Sequence, residues 1–267
     1  MKVKANGKFN LTLFVTGMRG RMHVLDSVMH SVDIGDELTV EKSDRVSVVM
    51  RGADVDERSN TAYRAAEAVR EKYGLALRAE IVKHIPIGGG MGGSSADAAG
   101  VLVCAERMLG TDLTALASEI GSDVPFMMRG GCARVRGIGD VLEPLPAVGF
   151  SALTIDCGRV DTAACYRAFD ESGGPTGGSS DDAAADISAG RMPSVLFNAL
   201  FSSASALRPR ISDCMNIARS AGLTAHMTGS GGCMFITDAP DGSEKLFENA
   251  GFRCFRVRSA NAGVEIS

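Results

Sequence analysis

Pro86-Ile87-Gly88-Gly89-Gly90-Met91-Gly92-Gly93-Ser94-Ser95-Ala96-Asp97 is the stretch on which the reading of this chain turns. Five glycines in positions 88–93 leave a backbone that can approach a ligand without interference from Cβ atoms. Before it, Leu75, Leu77, Ala79 and Ile81 alternate, so Leu75–Val82 reads as a strand ending at Lys83-His84-Ile85-Pro86. After it, Ala98, Val101, Leu102, Ala105, Met108 and Leu109 recur at helical spacing. The order strand, glycine loop, helix aims unpaired N–H groups and the positive end of a helix dipole at whatever the loop encloses, which suits phosphate. Ser94 and Ser95 add hydroxyls that can donate to an anion or reach a metal.

Two other phosphate motifs fail. A Walker A loop needs Gly-Lys-Ser/Thr at the helix start, and Gly93-Ser94-Ser95 has no lysine. A dinucleotide fingerprint is literally present at Gly88, Gly90 and Gly93, and Asp112 follows about 20 residues on, where a ribose-binding acid belongs. That acid should end a second strand, whereas Asp112 opens the helix-like segment Leu113–Ile120.

Outward from the loop, Phe9, Leu11, Leu13 and Val15 alternate with Asn10, Thr12 and Phe14 and predict one strand with a polar-bearing face. Glu37–Glu41 and Arg45–Met50 read as further strands. Asn60 caps a helix whose apolar positions are Ala62, Ala65, Ala66, Val69 and Tyr73. In the second half, Ala152–Asp156 reads as a strand, Val195–Leu207 and Pro209–Ala221 as helices, and Ala225–Thr237 as strand, glycine turn and strand. Glu171–Asp186, rich in Gly, Ser and Asp, reads as a flexible loop with no element. Pro144, Pro146 and Gly149 place a domain boundary that divides the chain into residues 1–148 and 149–267.

The 267 residues suffice for a sizeable core, and 45% of them are hydrophobic. A net charge of −4 offers no basic surface for nucleic acid and no polybasic membrane patch. No run reaches the roughly 18 apolar residues of a membrane span, and no signal-type apolar core follows Met1–Lys8. Cysteines 104, 132, 157, 165, 214, 233 and 254 stand singly, which suggests reduced thiols in a cytoplasmic protein and no zinc site.

Three separated segments then agree. Lys8-Phe9-Asn10-Leu11-Thr12-Leu13 resembles the first motif of the GHMP kinases. Pro86–Ala99 is similar to the second, P-x-x-x-G-L-G-S-S-A, with Met91 in the leucine position. Met227-Thr228-Gly229-Ser230-Gly231-Gly232 resembles the third. The resemblance spans nearly the whole chain. Lys-x-Asn-Leu, the extended glycine loop with Asp97, Gly121-Ser122-Asp123-Val124-Pro125-Phe126 and Thr162-x-x-x-Tyr166 make it most similar to the GHMP kinases of the non-mevalonate isoprenoid pathway that act on 4-diphosphocytidyl-2-C-methyl-D-erythritol. The resemblance implies an α+β two-domain fold, with an N-terminal ATP-binding domain like ribosomal protein S5 domain 2 and a ferredoxin-like C-terminal domain. It also implies transfer of the ATP γ-phosphate to the substrate's 2-hydroxyl, with Mg²⁺, in a monomer or homodimer. Alternatives within the resemblance are another alcohol (homoserine, mevalonate or a sugar) or a non-catalytic nucleotide-binding homologue.

By the same resemblance, Asp123 is the general base and Lys8 the cation that keeps it ionised. Pro86, Gly88, Gly89, Gly90, Gly92, Gly93, Ser94 and Ser95 hold the phosphates, with Asn60 and Lys83 near the adenine. Asn10, Met22, His23, Thr162, Tyr166, Gly229 and Ser230 fall on the substrate. Asn10 shares a strand face with Lys8 by the period of two. No dedicated metal cage is legible, as expected for Mg²⁺ held by phosphates and water. One stretch departs from the family pattern G-R-R-x-D-G-Y-H: Gly17–His23 is one residue shorter, and Met22 replaces the tyrosine that would stack on cytosine, with Tyr166 as the second aromatic. Losing one stacking platform weakens base binding by about 1–3 kcal/mol.

Overall fold

The computed structural model describes residues 1–52 and 60–266. In chain order its elements are β1 (Lys2–Asn10), β2 (Thr12–Arg19), β3 (Met22–Lys42), β4 (Ser47–Arg51), α1 (Thr61–Tyr73), β5 (Leu77–Val82), α2 (Gly93–Leu109), α3 (Thr114–Ile120), α4 (Val124–Arg129), β6 (Cys132–Gly137) and β7 (Val141–Leu145). Then follow β8 (Ser151–Asp156), α5 (Thr162–Glu171), α6 (Asp181–Ser188), β9 (Phe197–Asn198), α7 (Phe201–Leu207), α8 (Arg210–Ser220), β10 (His226–Met227), β11 (Cys233–Thr237), α9 (Glu244–Glu248), β12 (Arg253–Arg258) and β13 (Val264–Ile266). Among the described residues no helix is long and apolar enough to cross a membrane.

The mixture of helices and two sheets makes the chain α+β. β3 is the spine of the larger sheet. β1 and β2 run antiparallel along one of its edges, and β5 and β6 along the other. The strand expected across Phe9–Val15 is therefore two strands, interrupted at Leu11. The strand expected at Glu37–Glu41 is only the end of β3, because residues 22–36 belong to it too. The third expected strand appears as β4, parallel to β5. The smaller sheet has the order β10-β11-β8-β12, and all its strands lie between Ser151 and Arg258. β13 then crosses back to pair with β1.

The middle of α2 is buried through Ala96, Ala98, Ala99, Val101, Leu102, Cys104 and Ala105. Its small side chains let it sit close against α1, α4 and β1. The two sheets share a core where Phe9 of β1 stacks on Phe235 of β11, ring centroids 4.3 Å apart. A second cluster, with Leu153, Ile155, Phe169, Leu200, Ile211 and Phe247, lies beneath α5, α7 and α8.

Two expectations need correction. Glu171–Asp186 is not an element-free loop: α5 runs through Glu171, and α6 begins at Asp181. Ala183 and Ile187 bury one face of α6, and buried Ser180 before it bonds the Thr12 hydroxyl at 2.8 Å and donates its N–H to Asp26 at 3.2 Å. In Val195–Leu207 the helix begins only at Phe201, because Phe197–Asn198 pairs with β2 as a short parallel strand.

Candidate active site

The two sheets and α2 enclose a cleft of about 550 Å³. Its floor is the glycine loop between β5 and α2. Gly92 at φ +76° is the N-cap of α2, with no side chain capping the first turn, so the helix presents its leading N–H groups to the cleft. Neither Ser94 nor Ser95 serves as the N-cap, since both lie inside the helix.

The loop is bonded both to the β8–α5 connection and to the second glycine turn, between β10 and β11. Gly88 O accepts from Val160 N at 3.1 Å and Gly89 O from Cys233 N at 2.9 Å. Gly90 O accepts from the Thr228 hydroxyl at 3.3 Å. At Gly90, φ is +76°, and a Cβ there would lie 2.2 Å from Thr228 O. Several glycines of the first loop are thus required by the second loop as well as by a ligand. Asn198 fixes that second loop, donating to Met227 O at 3.0 Å and Gly229 O at 2.8 Å. Thr162 and Ser230 close the rim through a hydroxyl pair at 2.8 Å.

Lys8 projects from β1 into this floor and is 3% exposed. Its ammonium donates to Asn10 Oδ1 and, at 2.9 Å, to Gly90 O, and it lies 3.7 Å from Asp123 Oδ2. Burial pulls the Lys8 pKa down, and the Asp123 carboxylate opposes that shift. Asp123 sits at the N-cap of α4 without capping it, its side chain partly open to the cleft. The capping role that a loop aspartate commonly takes is therefore absent, and the carboxylate faces Lys8 instead.

Asn60 lines the cleft and is also the N-cap of α1, its Oδ1 accepting from Ala62 N at 2.9 Å. Lys83 lines it too, but its ammonium is bound to buried carboxylates: Asp97 Oδ2 at 2.6 Å and Asp36 Oδ2. Burial alone would lower the Lys83 pKa, and the two acids outweigh it and raise it. Burial and the neighbouring Asp36 push Asp97 up to about 7 against the opposing lysine. Asp97 Oδ1 has no hydrogen-bond partner among the described residues.

At the other end, Tyr166 of α5 lines the cleft, and burial, with Asp123 nearby, raises its pKa. Its ring neighbour is His23, with centroids 4.5 Å apart, and His23 Nε2 is 2.7 Å from Asp170 Oδ1. Met22 is 49% exposed at the β2–β3 hairpin and does not reach the cleft wall. The structure therefore brings together Lys8, Asn10, Asn60, Lys83, Asp123, Thr162, Tyr166, Gly229, Ser230 and the whole glycine loop, places His23 against Tyr166, and leaves Met22 outside the cleft lining.

Sequence reading missed four participants. Thr228 lies inside the third motif without being singled out, and Asn198 carries no local signal. Arg64 and Arg159 line the cleft, are exposed, and make no ion pair among the described residues. Arg159 packs against Gly88, where a Cβ would meet its Cγ at 2.3 Å.

Residues 60–131 match the family model described as GHMP kinases N terminal domain. A 4-diphosphocytidyl-2-C-methyl-D-erythritol kinase of Cutibacterium acnes is 36% identical over 91% of this chain and 88% of that protein. A crystal structure of a 4-(cytidine 5'-diphospho)-2C-methyl-D-erythritol kinase superposes with a TM-score of 0.79 at 31% identity, covering 97% of this chain and 99% of that one. A homoserine kinase from Cytophaga hutchinsonii shares the fold, with a TM-score of 0.70 at 19% identity over 100% of this chain and 97% of that one.

Proposed function

Because the chain belongs to the 4-diphosphocytidyl-2-C-methyl-D-erythritol kinases of the GHMP superfamily, we propose that it transfers the γ-phosphate of ATP to the 2-hydroxyl of that substrate, in the making of isoprenoid precursors. The observation that carries the mechanism is the Lys8–Asp123 pair, 3.7 Å apart on the floor of the phosphate cleft. Asp123 accepts the proton of the substrate hydroxyl as the phosphoryl group arrives, with the Lys8 ammonium facing it. The N-terminus of α2 and the glycine backbone hold the phosphate chain. Lys8 and Lys83 already have carboxylate partners, so the uncommitted cations Arg159 and Arg64 are the groups assigned to balance phosphate charge.

Thr162, Gly229 and Ser230 line the end of the cleft assigned to the alcohol, next to Asn10. Tyr166 supplies a stacking face for cytosine, and His23, held by Asp170, packs against that ring. Asn60 marks the adenine end, where Lys83 acts through its hold on Asp36 and Asp97. Among the described residues no group of three or more His, Cys, Asp or Glu could cage a metal. Mg²⁺ held mainly by phosphates and water needs no cage, and Ser94, Ser95 and Asp123 line the cleft where one of its positions could be filled. When bound, the ion would neutralise charge on the triphosphate. A cytoplasmic enzyme is part of this reading, supported by seven unpaired cysteines. So are a division near residues 148/149 and a monomeric or homodimeric state acting without nucleic acid.

The test is ADP release by purified protein with ATP, Mg²⁺ and 4-diphosphocytidyl-2-C-methyl-D-erythritol, run beside homoserine, mevalonate and sugars. Lys8→Met and Asp123→Asn should each lower kcat by about 10²-fold or more while the protein stays folded. Full activity in Asp123→Asn would refute the base assignment, and turnover confined to another alcohol would refute the substrate.

A further inference from the structure

We propose that Ser27 is a positioning residue for this reaction: by accepting a hydrogen bond from the Asn10 amide, it turns the amide oxygen toward Lys8 and so fixes the ammonium beside Asp123. The inference rests on the kinase reading above.

Ser27 lies on β3 and is fully buried, opposite the point where the β1–β2 edge is interrupted. Ordinary ladder bonding lapses there. Leu11 N still donates to Val28 O at 2.8 Å, but Val28 N donates to the Thr12 hydroxyl at 2.9 Å, and Thr12 O accepts the Ser27 hydroxyl. A serine hydroxyl has one hydrogen. With that hydrogen on Thr12 O, Ser27 Oγ can only accept from its other neighbour, Asn10 Nδ2, at 2.8 Å. At the far end of the same amide, Lys8 carries donors only, so Asn10 must show it the oxygen. Two independent counts of protons thus select the same amide orientation. A reversed amide would put an NH₂ group against the ammonium and a carbonyl oxygen against a lone pair.

Lys8 has three hydrogens and three acceptor positions: Asn10 Oδ1, Gly90 O and the Asp123 side. Taking Asn10 away leaves the ammonium one acceptor short in a buried site and free to drift from Asp123. Small displacements of this kind act on kcat more than on binding.

The experiment compares Ser27→Ala, Ser27→Thr, Asn10→Ala and the double variant Asn10→Ala/Ser27→Ala, each with a thermal melt and a crystal structure. Ser27→Ala should lose between about tenfold and a hundredfold in kcat, with KM for both substrates within about threefold. Ser27→Thr should restore most of that loss. In the Asn10→Ala background the second substitution should leave kcat unchanged, because the residue it acts through is gone. A merely structural serine would lower stability in both backgrounds alike and show no such dependence. If Ser27→Ala does not fold, Ser27→Cys, which keeps a group at the hydroxyl position with a weaker acceptor, takes its place. Wild-type kcat in Ser27→Ala, or an equal loss with and without Asn10, would overturn the proposal. So would a crystal structure of the variant with the Asn10 amide plane unmoved, and that result stands whatever alcohol the wild type proves to phosphorylate.

Discussion

Asp97→Asn should flatten the pH dependence of stability, by an amount the buried triad fixes. Asp97 and Asp36 flank one ammonium, Lys83, so the ionised triad carries a net −1 with both carboxylates fully buried. Asp97 is raised to about 7 by that burial and by Asp36. In the unfolded chain an aspartate titrates near about 3.9. The folded state therefore holds its proton more tightly. The stabilisation is fully present below about pH 3.9 and is lost as pH rises through about 7. At about 1.36 kcal/mol per unit, the loss between pH 5 and pH 8 is on the order of 2–3 kcal/mol. Asparagine does not titrate and leaves Lys83 its Asp36 partner. Urea denaturation of both proteins at half-unit steps from pH 5 to 8 gives two stability curves, and groups common to both cancel in their difference. The asparagine variant should gain on the wild type by roughly 2–3 kcal/mol across that range, levelling off above about pH 7–8. A difference that stays constant with pH would mean that Asp97 is ionised throughout, and the account of the triad would fail.

Other substitutions probe the loops and the phosphate charges. Gly90→Ala should lower Tm and raise KM for ATP, since it adds strain of about 1–3 kcal/mol at positive φ and drives a Cβ into Thr228 O. Gly110→Ala, also at positive φ but with open space around it, should show only the strain, and equal losses at the two sites would refute the loop-on-loop contact. Arg159→Ala should raise KM for at least one phosphate-bearing substrate about tenfold and weaken its salt dependence, with Tm unchanged because the side chain is exposed. Unaltered KM for both substrates would remove Arg159 from the site.

The parts of this fold that were legible in the sequence are those whose cause is local. Helix α1 could be read because Asn60 and the spacing of Ala62, Ala65, Ala66 and Val69 lie within one segment. Lys8 and Asn10 could be put on one face because a strand alternates whatever pairs with it. The length of β3 could not be read. It is paired along both edges, and Asp26, Ser27, His30 and Ser31 are buried in succession by partners far away in sequence, so its middle shows no alternation. Helix α6 was hidden in Asp181–Ser188 for a similar reason: its two buried positions, Ala183 and Ile187, make a faint stripe, and the docking of Ser180 on Thr12 and Asp26 is long-range.

The same distinction separates the chemistry that could be read from the geometry that could not. A glycine-rich loop before a helix advertises phosphate by itself, because its anion-binding groups belong to the loop and the helix it opens. Lys83 advertised nothing, and as an isolated lysine after a strand it passes for a surface charge or a nucleotide contact. Its actual partners, Asp36 and Asp97, are separated from it by 47 and 14 residues. Met22 is the reverse case. The motif reading gave it a role by position alone, but the hairpin carries it to solvent while Arg19, its cross-strand partner, pairs with Asp140 at 2.8 Å. The ring that meets Tyr166 is His23, one residue further along the strand. Because successive residues of a strand face opposite ways, Met22 and His23 are turned to different sides of β3, and only His23 meets Tyr166.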